Sequence, residues 1–170
     1  MSNTKEWICQ NIANGAEITN NVYEAIADFC VMWAIFEGTE LHDVDVAVDE
    51  LEQIAKRVSD KVQGTENNLR FWKERYITEG QINTKFGYLR FSHEPHKNLV
   101  SQVLLGIETD KEKTIHALLL IVYRLRNNLF HGAKDVTAIK HQISNLEQAA
   151  DFLKKLLLAS GRYIFLNLNR

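Results

Sequence analysis

Apolar side chains recur at helical spacing along most of this chain. Val22, Ile26, Phe29 or Cys30, Trp33 and Phe36 share one face, the three-to-four-residue rhythm of an amphipathic helix. Asn21, with Glu24 three residues on, resembles an N-terminal capping pair. Leu51, Ile54, Val58 and Val62 mark a second helix with a charged outer face. Leu69, Trp72, Tyr76 and Ile77 mark a third, shorter one. The stretch EGQINTKFGYLRFSHEP, Glu79 to Pro95, is the least periodic part and contains two glycines. It predicts a connection with a short element inside it. Further on, TDKE at Thr109–Glu112 reads as a capping box, the threonine capping and the glutamate reaching back. The helix that follows carries Ile115, Leu118, Leu119, Val122, Leu125 and Leu129, and Gly132 suits the left-handed turn that ends it. Asp135 then caps a final helix with Ile139, Ile143, Leu146, Ala150, Leu153 and Leu157 on its apolar face. At ~1.5 Å per residue that helix would extend on the order of 35 Å. The short AKD connection predicts that the two long C-terminal helices are antiparallel neighbours.

Composition narrows the fold. A single proline in 170 residues favours helix over sandwich or barrel. The length suits one domain spanning 1–170, and no repeat, low-complexity segment or linker interrupts it. The expectation is an all-α, single-domain helical bundle of about four to six helices. A formal charge of −2 excludes a protein coated in basic surface, so any nucleic-acid contact must be local. Two cysteines make neither a disulfide framework nor a zinc site. The first residues lack a signal-peptide layout, and the longest apolar run, Phe29–Phe36, is too short to cross a bilayer. A cytoplasmic protein with no membrane partner is expected.

One segment asks for chemistry. YRLRNNLFHGAK, Tyr123–Lys134, ends an apolar helix with two arginines, two asparagines and a histidine before the glycine. Helix termination alone explains these residue types, because cations suit the negative end of the helix dipole. The same types also suit phosphoryl chemistry without a metal. A histidine near its ordinary pKa of ~6.5 can move a proton at neutral pH. Arginine holds a fixed fork of donors toward a phosphate. Asn127 and His131, four apart, share a helical face, where an amide can orient the imidazole. Arg126 and His131, five apart, are turned by roughly 140° on a regular helix. They converge only if the last turn distorts or a second chain completes the site, which predicts a two-fold dimer.

RNNLFH, Arg126–His131, resembles the R-x4-6-H motif of the HEPN superfamily, in which Asn, Asp or His commonly follows the arginine. The motif match covers about ten residues, and the length, all-α character and late position of the motif extend the resemblance over most of the chain. The resemblance implies a dimeric, metal-independent endoribonuclease with no cofactor. Many such proteins act on RNA as toxins or in phage defence, some restrained by a nucleotidyltransferase-like antitoxin. Carried over by position, Arg126 and His131 are catalytic and Asn127 supports them. The alternative is a catalytically inactive HEPN-like module that binds RNA, nucleotide or a partner protein, since fold does not decide function.

Other residues carry weaker signals. Glu37, at the end of the early apolar helix, is a candidate acid beside the motif, although a solvated helix end explains it too. Arg124 and Lys134 flank the motif as candidate substrate contacts. NNLRFWKERY interleaves bases and aromatics as an RNA clamp would, but a helix with Trp72 and Tyr76 in the core fits it better. HEPH, His93–His96, lacks further ligands at metal-binding spacing. The acids between His42 and Glu50 suit a helix start.

Overall fold

The computed structural model describes residues 3–42, 47–131 and 139–162. Among these, seven α-helices form an all-α bundle: α1 (Thr4–Asn11), α2 (Asn20–Glu40), α3 (Ala47–Val58), α4 (Glu66–Tyr76), α5 (Glu94–Leu105), α6 (Lys111–His131) and α7 (Ile143–Ser160). None of them is long and apolar enough to cross a membrane. Two elements go beyond the sequence expectation. Helix α1 buries no side chain, so it leaves no apolar rhythm to read. Helix α5 begins at the end of the aperiodic stretch, with proline in its first turn, where a missing N–H costs nothing.

The caps correct two sequence readings. Thr19, not Asn21, starts α2 and accepts from the Val22 amide at 3.5 Å. Asp110 starts α6 in place of Thr109: its carboxylate accepts from the Lys113 amide at 3.0 Å. An aspartate also opposes the positive end of the helix dipole. Gly132, Lys134 and Asp135 lie outside the described residues. Helix α7 is preceded by a 3-10 turn at Lys140–Gln142, and its principal partner is α2, with a smaller contact to α6.

Helix α6 is the centre of the bundle. Ile115, Ala117, Leu118, Leu119, Leu120, Ile121 and Val122 are all buried, so this stretch is covered on every side, the pattern of a core helix rather than an amphipathic one. Helices α3 and α5 pack against it. Phe29 and Phe36 of α2, Trp72 of α4 and Phe152 of α7 are fully buried in the same cluster. Trp72 stacks on Tyr76 at 5.8 Å between ring centroids. Both are core residues, and burial pushes the Tyr76 phenol up to about 12, with neighbouring Arg75 opposing the shift. Truncating a buried tryptophan of this kind to alanine costs about 3–5 kcal/mol.

Two polar devices join the helices, and one glycine shapes the turn after α1. The buried Asn68 amide on α4 donates to the Asp151 carboxylate at 2.9 Å and accepts from the Lys155 ammonium at 2.9 Å, which ties α4 to α7. Glu40, with a fully buried side chain at the end of α2, pairs with Arg57 of α3. Gly15 lets the chain after α1 double back: a Cβ there would meet the Ile8 carbonyl oxygen at 2.1 Å. The aperiodic stretch contains a minimal hairpin, Ile77–Thr78 against Gln81–Ile82. Glu79 and Gly80, with φ of 52° and 73°, turn it, the left-handed pair that a tight two-residue hairpin requires. A 3-10 segment, Thr84–Leu89, follows and ends at Arg90, which is also left-handed.

Candidate functional site

The end of α6 is where the central helix leaves the core. Up to Val122 every residue from Ile115 is buried, whereas Tyr123, Arg124, Arg126, Asn127 and Leu129 are half-buried and Phe130 is exposed. The polar residues of the motif therefore emerge at the boundary between core and solvent, supported by a helix that packing holds rigid.

Arg126 reaches toward α2. Its Nη2 lies 3.4 Å from the Glu37 carboxylate, and its Nη1 donates to the Asn127 side-chain oxygen at 3.1 Å. The guanidinium lies over two rings, 5.7 Å from the Trp33 centroid and 5.4 Å from that of Phe130. Trp33 is in turn packed against Phe36 and Tyr123. This arginine is thus fixed from three directions: a carboxylate, an amide and two aromatic faces. Its Nε is buried and has no hydrogen-bond partner among the described residues. The side chain as a whole keeps 22% of its surface exposed, so a guanidinium held in place by these neighbours can still present a donor to an anion.

The structure separates the candidates named from the sequence into two directions. Glu37, Arg126 and Asn127 come together on the α2 side. Arg124 turns the other way, and its Nε and Nη2 donate to the carbonyls of Leu89 and Arg90 at 2.8 and 2.5 Å. Burial pulls its pKa below the ordinary arginine value, the nearby Arg90 adds to this, and Tyr123 opposes it. Two of its donors hold the end of the 3-10 segment in place, which is a structural task. Asn128, buried, joins it by donating to the Tyr88 carbonyl at 2.9 Å. Helix α6 remains α-helical through His131, while the His131 side chain and Lys134 lie outside the described residues. Comparison with protein-family models, with curated proteins and with solved structures finds no match.

Sequence reasoning did not single out Trp33, Phe130 or Asn128 for this region. A signal for the first two was present: Trp33 precedes Glu37 by one turn, and Phe130 follows Arg126 by one turn, so each shares a face with a charged partner. Nothing in the sequence pairs Asn128 with Tyr88, since that contact depends on how the 3-10 segment folds back. Near Arg124, a cavity of about 290 Å³ is lined by His93, His96 and Tyr123. The two histidine rings meet edge-on at 4.4 Å. Burial lowers the His96 pKa and His93 lowers it further, against Asp49 and Glu52. Among the described residues no group of three or more His, Cys, Asp or Glu is arranged to hold a metal ion.

Proposed function

We propose that this chain is a metal-independent endoribonuclease of HEPN type, acting as a cytoplasmic homodimer. The observation that carries the reading is Arg126: a half-buried guanidinium, fixed by Glu37, Asn127, Trp33 and Phe130, with one donor unpaired. In this reading the ribose 2′-hydroxyl attacks the adjacent phosphorus and the bond to the 5′-oxygen breaks. His131 moves the proton, taking it from the 2′-hydroxyl or giving it to the leaving oxygen. Arg126 stabilises the negative charge that develops on the phosphoryl oxygens. The products are a 2′,3′-cyclic phosphate and a 5′-hydroxyl end, so no oxidant, reductant or further co-reactant is required. Asn127 holds the arginine fork.

The regular helix between Arg126 and His131 favours a dimeric site. Positions five apart are turned by roughly 140° at ~100° per residue, so the arginine of one protomer and the histidine of the other would face the same phosphate across a two-fold axis. A toxin or phage-defence role, with a nucleotidyltransferase-like antitoxin as the restraining partner, is the biological setting that the HEPN resemblance implies. The Arg126–Glu37 ion pair favours one other reading, a catalytically inactive HEPN-like module that binds RNA, nucleotide or a partner protein. A carboxylate already engages one arm of the arginine fork there. RNA cleavage in excess EDTA, with the Arg126→Ala and His131→Ala variants alongside, separates the two.

A further inference from the structure

On the other side of α6 lies a second concavity, a cleft of about 490 Å³ between the end of α4, the 3-10 segment, α6 and the start of α7. Its size falls within the ordinary range of small-molecule sites. Arg75, Lys85 and Arg90 line it, and among the described residues that do so none is acidic. Three cations, with no acidic residue among the described lining, are a local concentration of positive potential in a chain of net charge −2. The Tyr88 ring stands at the rim with 74% of its surface exposed. That exposure is built, because Asn128 bonds to the carbonyl of Tyr88 and Arg124 to those of Leu89 and Arg90. The left-handed conformation of Arg90, φ 53°, completes the turn. Deeper in the wall is Asn145, 2% exposed, whose Nδ2 donates to Gln142 while its Oδ1 has no hydrogen-bond partner. A buried amide oxygen left unpaired is costly in a folded protein unless something completes it.

We infer that this cleft binds a nucleoside phosphate, with its phosphate on Arg75, Lys85 and Arg90, its base against Tyr88, and an N–H edge of the base toward Asn145. Each part answers one feature of the ligand. Cations meet the phosphate, an exposed ring provides a stacking face worth about 1–3 kcal/mol per base, and an unpaired acceptor can take an N–H of the kind every base carries. Arg126 and Asn128, two apart, point about 160° away from one another at ~100° per residue, so the cleft is a separate site from the Arg126 cluster. It stands whether or not the chain cleaves RNA. The ligand is either a free nucleotide or one residue of an RNA strand.

Isothermal titration of the purified chain with 5′-AMP, 5′-UMP, inorganic phosphate and a short single-stranded oligoadenylate tests this. A Lys85→Gln/Tyr88→Ala variant runs alongside; both side chains are exposed, so its fold should persist, checked by circular dichroism. The expected result is binding of AMP or oligoadenylate that weakens at least tenfold in the variant and falls as salt rises. Equal affinity per site for AMP and the oligomer identifies a free nucleotide as the ligand, and binding of the oligomer alone identifies a strand. Inorganic phosphate binding as tightly as AMP, no binding of any probe, or binding unchanged in the folded variant would overturn the inference.

Discussion

The coupling between Glu37 and Arg126 can be measured by a double-mutant cycle using Glu37→Gln and Arg126→Met. The charged atoms are 3.4 Å apart, and the two side chains keep 26% and 22% of their surface exposed. At that separation the gross Coulomb attraction is about 5 kcal/mol with an effective dielectric constant of about 20. Most of it is offset by removing both groups from water and by fixing two flexible side chains. Fully exposed pairs retain about 0.2–1 kcal/mol. This one, three-quarters buried and braced by two rings, should retain about 1 kcal/mol. Urea unfolding of the four proteins at low ionic strength reads the coupling as the departure from additivity. Arg126→Met alone should cost more than the coupling, because the cation–ring contacts with Trp33 and Phe130 go with it, at about 0.5–1 kcal/mol each. Adding salt to 1 M should remove only part of the coupling, since buried pairs are screened less than exposed ones. A coupling below 0.3 kcal/mol, or one that vanishes in moderate salt, would show that Glu37 does not hold the arginine, and the account of a fixed guanidinium would fail.

Arg57→Met should destabilise the chain by about 3 kcal/mol in the same assay, because it leaves the fully buried Glu40 carboxylate without the guanidinium it pairs with; a loss under about 1 kcal/mol would show that α2 and α3 do not depend on the pair. Stability should also fall on acidification from pH 7.5 to 5. Burial holds the His116 pKa below the ordinary value of ~6.5, with His96 adding to the effect and Glu52 opposing it. The unfolded chain therefore takes up its proton first, and stability declines as the pH drops below that ordinary value. His116→Gln should flatten this part of the profile, and equal stability at both pH values contradicts it. Below about pH 4 a second decline should begin. Although burial raises the Asp151 pKa, its hydrogen bonds from Lys155 and Asn68 outweigh that and hold it low. This stabilisation is present above the ordinary aspartate pKa and is lost as the pH falls through the depressed one. Asn68→Leu should weaken that acid limb relative to the wild type.

Helical periodicity made the α2, α3, α4 and α7 core faces legible, because each pairs a buried stripe with a more exposed one, and the apolar run of α6 marked the helix that is buried on every side. It failed where helices lack that contrast. Helix α1 buries nothing, and α5 begins directly after an aperiodic stretch. The partner of α7 was also not legible. A short connection favours α6, but the apolar face of α7 finds more surface on α2. At the candidate site, Arg126, Asn127 and Glu37 were readable as chemistry-bearing residues, and the structure brings these three together. The opposite orientation of Arg124 was not readable, since it follows from carbonyls that the 3-10 segment presents to α6 from 34 or 35 positions away in the chain. The aromatic-basic segment proved divided: Trp72 and Tyr76 lie in the core, while Arg75 faces the cleft.

The most direct test of the central claim is cleavage of total RNA and tRNA by the purified chain in excess EDTA, with Arg126→Ala and His131→Ala assayed beside it. The account predicts cleavage by the wild type, with 2′,3′-cyclic phosphate ends, and loss of at least a hundredfold in each variant while fold and dimer persist. A folded dimer that leaves RNA intact, or variants that cleave as well as the wild type, would contradict it.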